Sequence, residues 1–252
     1  MWTIAARDLR SLFLSPLAWT ILGAVQVILG WFFTVLVYWF VQPEVQANLA
    51  SAPDAPGLTV MVASSLFDWM GIVLLLVTPL LTMRLVSEER RNKTLPLLLS
   101  APVSMTSIVL GKFLGLMGFF IIMLAMVMLM PLSLLFGGSL DWGQLAAGLL
   151  GITLLLGALT ALGLYISTLT GHPTVAAIST FATFLLLWML DWAEKVGEDQ
   201  TGVLNLAYWS ITKHYHPLLE GLFSTADVVY YVLLMALFLV LSIHRLDAER
   251  IQ

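Results

Sequence analysis

The residues best equipped for chemistry lie in one polar connection: Arg84-Leu85-Val86-Ser87-Glu88-Glu89-Arg90-Arg91-Asn92-Lys93-Thr94-Leu95-Pro96-Leu97-Leu98-Leu99-Ser100-Ala101-Pro102. Glu88 and Glu89 resemble half of the glutamate pair of a membrane protease, but that chemistry also needs histidines at membrane depth. His172, His214, His216 and His244 all fall in loops or at the ends of apolar segments. Gly111-Lys112 suggests a phosphate-binding loop, yet Phe113 follows where serine or threonine is required, and the preceding glycine spacing is wrong. The chain is therefore not expected to hydrolyse ATP. His214 and His216 flank Tyr215, but two histidines make a poor metal site, and polar residues at an interface are the better reading. Zero cysteines remove thiolate nucleophiles, thiolate metal sites and disulfides. No catalytic and no metal-ligating residue is expected, which leaves the Glu88–Pro102 connection a mechanical or docking role.

The elements that position this connection follow from composition. Of 252 residues, 60% are hydrophobic and 10% charged, and the mean hydropathy is +0.97. Soluble domains carry about 25% charged residues, so these side chains cannot coat a soluble globule. The net charge of -4 excludes a basic, nucleic-acid-binding surface. The reading is an all-α integral membrane protein forming a single transmembrane domain over residues 1–252.

A helix crosses ~30 Å of hydrocarbon with ~20 apolar residues. Six segments qualify, approximately at 17–41, 66–86, 107–136, 145–169, 175–190 and 228–243. The first is too long for the core of a signal peptide and reads as an uncleaved helix. Gln26 and several serines and threonines read as the only polar groups inside the spans, which argues against a proton-coupled transporter. Nine of the 11 basic residues fall before the first span, between the second and third, or after the sixth. That side is the cytoplasm by the positive-inside rule, so both termini are cytoplasmic. The charge of -4 then divides into about +4 on the inner face and -8 on the outer.

Before the first span, Ile4, Leu9, Leu12 and Phe13 form one apolar face of an amino-terminal interfacial helix that Pro16 breaks. The first external loop, Gln42 to Ser65, has three prolines and reads as solvated chain with little structure. Thr170-Gly171-His172-Pro173 is a tight turn that makes a hairpin of the fourth and fifth spans. Between the fifth and sixth spans, Leu204, Tyr208, Ile211, Tyr215, Leu218, Leu219 and Leu222 alternate with polar residues. These suggest external amphipathic helices, interfacial or re-entrant.

In the connection itself, Thr94 can cap a helix and Pro96 suits its first turn. Leu95, Leu98 and Leu99 share one face, and Pro102 ends the segment. This is a short cytoplasmic helix, marginal alone in water, so its leucines must pack on the chain's own spans or on a partner; a partner is preferred. Gly111 with Gly115, and Gly157 with Ala161, have the small-xxx-small spacing of close helix contacts. They serve either a dimer seam or, as preferred, packing among the chain's own helices.

The Glu88-Glu89-Arg90, Thr94-Leu95, Leu97-Leu98-Leu99-Ser100 and Pro102 pattern, with Ile108-Val109-Leu110-Gly111-Lys112-Phe113 after it, resembles the type-2 exporter class of ABC-transporter permeases. Arg7-Asp8-Leu9, Ser15-Pro16 and Asp141-Trp142-Gly143 also fit. The closest resemblance is to gliding-motility-type (GldF-like) permeases, with the NosY-type permeases of nitrous-oxide-reductase maturation as broader relatives. The chain departs from the pattern at Lys93, where the family has glycine, and at Pro96, where it has glutamate. The resemblance implies that Glu88, Glu89, Arg90, Thr94, Leu95, Leu98, Leu99 and Pro102 form a coupling region. It also implies a separate pair of cytoplasmic ABC ATPase subunits that bind the ATP and Mg, and a second permease half, identical or homologous. A periplasmic or membrane accessory subunit and membrane lipids are further possible partners. The function expected is that of a permease subunit of an ATP-driven exporter in a bacterial inner membrane. The alternative is a non-transporting scaffold that couples the ATPase to an external protein.

Overall fold

The computed structural model describes residues 1–51, 57–95, 103–136, 139–196 and 210–251. Among them there is no strand, and six helices are long and apolar enough to cross a membrane. The spans are Pro16–Val41, Thr59–Arg91, Met105–Phe136, Trp142–Leu169, Pro173–Leu190 and Thr225–Arg250. The protein is therefore an all-α, six-span membrane protein.

Local chemistry sets the span ends. Ser15 is extended and Pro16 opens the first span at a position where a missing N–H costs nothing. Ser104 caps the third span by accepting from the Ser107 N–H. Asp141 caps the fourth by accepting from the N–H groups of Gly143 at 2.8 Å and Gln144 at 3.2 Å. Pro173 opens the fifth. The sixth span exceeds its expected length because helical geometry runs on into polar sequence at both ends, and the second because a π-helical lead precedes it and a short helix follows its break. The described parts of the connection between the first and second spans are more ordered than its prolines suggest: Pro43–Ser51 is a helix, with Pro43 at its start, and Thr59–Ser64 is a π-helical lead into the second span.

The fourth span is the axis of the bundle. Its most apolar window is 67% buried, and it packs against the second, third, fifth and sixth spans. Small residues allow these crossings. A Cβ at Gly148 would lie 2.7 Å from the Phe67 ring. Gly163 faces Thr82, and Gly157 lies against Met235 of the sixth span. Ala161 is fully buried.

The amino-terminal helix, Trp2–Leu14, lies along the third span. A Cβ at Gly111 would meet Ile4 at 2.8 Å, and one at Gly115 would meet the Ala5 carbonyl at 3.0 Å. The Trp19 indole N–H donates to the Phe13 carbonyl at 2.7 Å, tying this helix to the first span.

At the opposite end of the bundle, the segment before the sixth span is folded into the protein rather than laid beside it. Ile211, Tyr215, Leu218 and Leu219 are buried, and among the described residues of this segment His216–Leu219 is helical. The Tyr215 hydroxyl donates to the Phe67 carbonyl at 2.7 Å, and that of Tyr231 to the Ile211 carbonyl at 2.6 Å. Burial, and secondarily the nearby Asp68 and Tyr231, push the Tyr215 phenol well above its ordinary value, so it stays a donor. His214 Nδ1 sits 2.6 Å from Asp227 Oδ1, with its ring stacked on Tyr230. Leu222 is exposed; Leu204 and Tyr208 lie outside the described residues.

Ionisable groups stand within the apolar stretches of the spans, contrary to the expectation that only Gln26, serines and threonines would. Asp68 lies in the second span and Lys112 in the third. Each sits in an otherwise apolar stretch, which is why hydropathy alone does not exclude it.

Candidate functional site at the base of the second span

Regular helix in the second span stops at Thr82, residues 83–86 form a turn, and Ser87–Arg91 resumes as a short helix. The Ser167 hydroxyl of the fourth span stabilises this break by accepting from the backbone N–H groups of Val86 and Ser87, each at 3.1 Å. The Ser87 hydroxyl donates to the Met83 carbonyl. The turn's backbone groups are thus satisfied by the neighbouring span rather than by water.

From this anchor the acidic and basic side chains reach in opposite directions. Glu89 Oε1 accepts from Lys112 Nζ at 2.7 Å. Lys112 also lies 3.5 Å from Asp8 Oδ2, and Arg7 lies 3.6 Å from Glu89. The Lys112 side chain is only 3% exposed, so a charge well inside the third span is neutralised by carboxylates from two other elements. Among the described residues, Glu89 Oε2 is buried without a hydrogen-bond partner. On the other side, Arg90 Nη2 donates to both carboxylate oxygens of Glu249 at 2.7 Å and to the Thr168 carbonyl at 2.9 Å. Its stem passes over Gly171 in the turn between the fourth and fifth spans. Glu88 points to Arg84 at 3.8 Å, and Arg84 donates to the Ser15 hydroxyl at 3.3 Å. One short segment thereby touches the amino-terminal helix and the third, fourth and sixth spans. It also puts residues near the two ends of the chain, Asp8 and Glu249, at the same end of the bundle.

The short helix ends in a two-bond left-handed stop. The Thr94 N–H donates to the Glu89 carbonyl at 2.9 Å, and the Lys93 N–H to the Arg90 carbonyl at 3.1 Å. Lys93 takes φ = 56°, the left-handed region. The helix His216–Leu219 ends with the same bonds, Leu222 to Pro217 and Gly221 to Leu218, but there glycine takes the left-handed position at φ = 83°. Backbone geometry therefore accounts for a glycine preference at residue 93, and lysine bears strain there. Lys93→Gly is expected to stabilise the protein by about 1 kcal/mol, read as a higher midpoint of thermal unfolding, with Lys93→Ala giving no gain.

Thr94 does not act as a cap within the described residues: its hydroxyl donates back to the Glu89 carbonyl at 3.2 Å. Leu95 is buried. Leu98, Leu99 and Pro102 lie outside the described residues. The structure thus brings Glu88, Glu89, Arg90, Thr94 and Leu95 together. Gly111 sits one residue before Lys112, and Gly115 one turn further along the same helix. The pairing residues Asp8, Lys112, Ser167 and Glu249 escape a reading by local motif. The legible signal is Lys112, a cation in an apolar helix that must find a carboxylate.

A family model for the ABC-2 family transporter proteins matches residues 45–190, more than half of the chain. The chain belongs to this ABC-2 family. This ABC-2 protein is a membrane permease subunit of an ABC transporter, a multi-pass component with no catalytic role of its own, and its family implies association with a cytoplasmic ABC ATPase. The matched region holds the Glu88–Arg90 junction with Lys112 and Ser167. Asp8 and Glu249 lie outside it. No curated protein matches the chain.

Proposed function

We propose that this permease transmits movements of a pair of ATPase subunits, which bind ATP and Mg, through the Glu88–Pro102 segment to its spans. The spans then alternate between inward- and outward-facing arrangements in an exporter of the bacterial inner membrane. The observation that carries this reading is the double attachment of the junction, through Glu89 to Lys112 and through Arg90 to Glu249. A push on this segment acts on the third and sixth spans together. In this reading Leu98 and Leu99 engage the ATPase cleft while Leu95 packs in the permease's own core, and the end carrying Arg7, Arg90 and Arg245 is cytoplasmic, as the basic residues favour. A second permease half completes the pathway. In this reading its functional class is that of the gliding-motility-type permeases, on the Glu-Glu-Arg and Thr-Leu pattern.

The test is purification of the chain with its neighbours. An ABC ATPase is expected to co-purify, and Leu98→Asp is expected to weaken that association about tenfold, since burying a leucine is worth ~1.5–3 kcal/mol. Unchanged ATPase association and unchanged stimulated turnover in Leu98→Asp would sink the reading.

A further inference from the structure

At the end of the bundle away from the Glu88–Arg90 junction lies a cavity of about 570 Å³. The second, fourth and fifth spans and the folded-in segment before the sixth span enclose it. Its body is apolar, formed by Leu75, Leu155, Leu159 and Phe184 among others. Gly71 shapes one wall: a Cβ there would come within 3.2 Å of the Tyr215 ring. Exposed Trp188 and Met189 line it on the fifth span.

One charged carboxylate interrupts this lining. Asp68 is 44% exposed and lies 3.9 Å from His216 Nδ1, beyond hydrogen-bond range. Among the described residues no hydrogen bond occupies it. The Tyr215 hydroxyl on the same wall is already donating to the Phe67 carbonyl. An ionisable residue inside a span is costly unless it has a partner or a function, and the junction at the other end shows how this chain treats a structural one: Lys112 is closed off by two carboxylates. Asp68 has no such enclosure and faces this apolar cavity.

We propose that this cavity binds an amphiphile with a primary ammonium head on an aliphatic chain, the ammonium pairing with Asp68 and the chain filling the space between the second, fourth and fifth spans. Charge sets the selectivity. An anionic head is repelled by Asp68. A neutral chain would strip water from the carboxylate without replacing it, which is unfavourable. An ammonium supplies both the charge and the donors, and the Trp188 indole on the same wall adds a face that attracts cations. The volume falls in the ~300–1,000 Å³ range of small-molecule sites.

The experiment uses the complete permease–ATPase complex in phosphatidylcholine nanodiscs, without nucleotide, so its outcome is independent of the transport reading. Two photoreactive probes of equal chain length, one ending in an amine and one in a hydroxyl, are cross-linked and the adducts mapped. Labelling of the peptides carrying Ile72 and Trp188 is normalised to that of the exposed Trp31 and Val35 in the first span. The amine probe is expected to label the cavity about fivefold more than the alcohol. Asp68→Asn should abolish that preference and Asp68→Glu retain it. Equal labelling by the two probes in the wild-type chain overturns the proposal, whatever the variants do. Competition then identifies the source: loss of label when phosphatidylethanolamine replaces half the lipid points to a membrane lipid, and loss only with added free alkylamine to a soluble amphiphile. Competition by neither overturns the ammonium assignment.

Discussion

Replacing Lys112 by methionine is expected to destabilise the protein by about 3 kcal/mol, more than any surface change in this chain. Methionine fills nearly the same space, so packing is kept and the change isolates the charge. What remains is Glu89, with its Oε2 already lacking a partner, and Asp8 beside it, a pair of partly buried carboxylates left to the exposed Arg7 alone. Leaving one half of a buried pair uncompensated typically costs 3–5 kcal/mol; the partial exposure of Glu89, 23%, places the effect at the lower end. Thermal unfolding in nanodiscs measures it. The second variant, Lys112→Met with Glu89→Gln, removes the stranded charge and should recover more than half of the loss. A double variant no more stable than Lys112→Met alone would show that the lysine acts through packing and not through its pair.

Reversing Arg90 is expected to cut substrate- or complex-stimulated ATP turnover more than tenfold while leaving the ATPase bound. Arg90→Glu sets a carboxylate against Glu249 where the wild type has two contacts of 2.7 Å, and it deprives the Thr168 carbonyl of its donor. The pair is partly exposed, 25% and 19%, so its stabilising contribution is discounted to about 1–2 kcal/mol. Like-charge repulsion adds to that loss. The decisive measurement is the swap Arg90→Glu with Glu249→Arg. If the ion pair transmits force between the junction and the sixth span, the swap restores at least a third of the stimulated turnover, and the double-mutant cycle yields a favourable interaction energy. If the swap is as inactive as either single change, transmission does not run through this contact. Co-purification of the ATPase separates this loss from simple detachment.

The two ends of the bundle use ionisable side chains differently. At the junction the buried charges meet their opposites, which ties the segment to the third and sixth spans. Around the cavity the aromatic hydroxyls are consumed by backbone carbonyls, while Asp68 stays open to whatever enters. Both arrangements depend on residues distant in the chain: Glu89 and Lys112 are 23 positions apart, and Arg90 and Glu249 are 159 apart.

Hydropathy by itself determined the six spans and their order, because the backbone in a bilayer must satisfy its own hydrogen bonds and long apolar runs have only the helix available. Local chemistry also marked the break at Pro16 and the tight turn before Pro173. The glycine expected by resemblance at position 93 finds its reason in a φ of 56°. Tertiary structure alone decided where the charges go. Nothing near Lys112 in the sequence says that Asp8 and Glu89 will close over it, and nothing near Asp68 says that it will be left beside an apolar cavity. The physical reason is that hydrophobicity is a property of segments, additive along the chain, whereas an ion pair exists only when two segments are packed within a few ångströms. Composition therefore identified a membrane protein of six helices, and packing sorted its few charges into a closed junction at one end and an open carboxylate at the other.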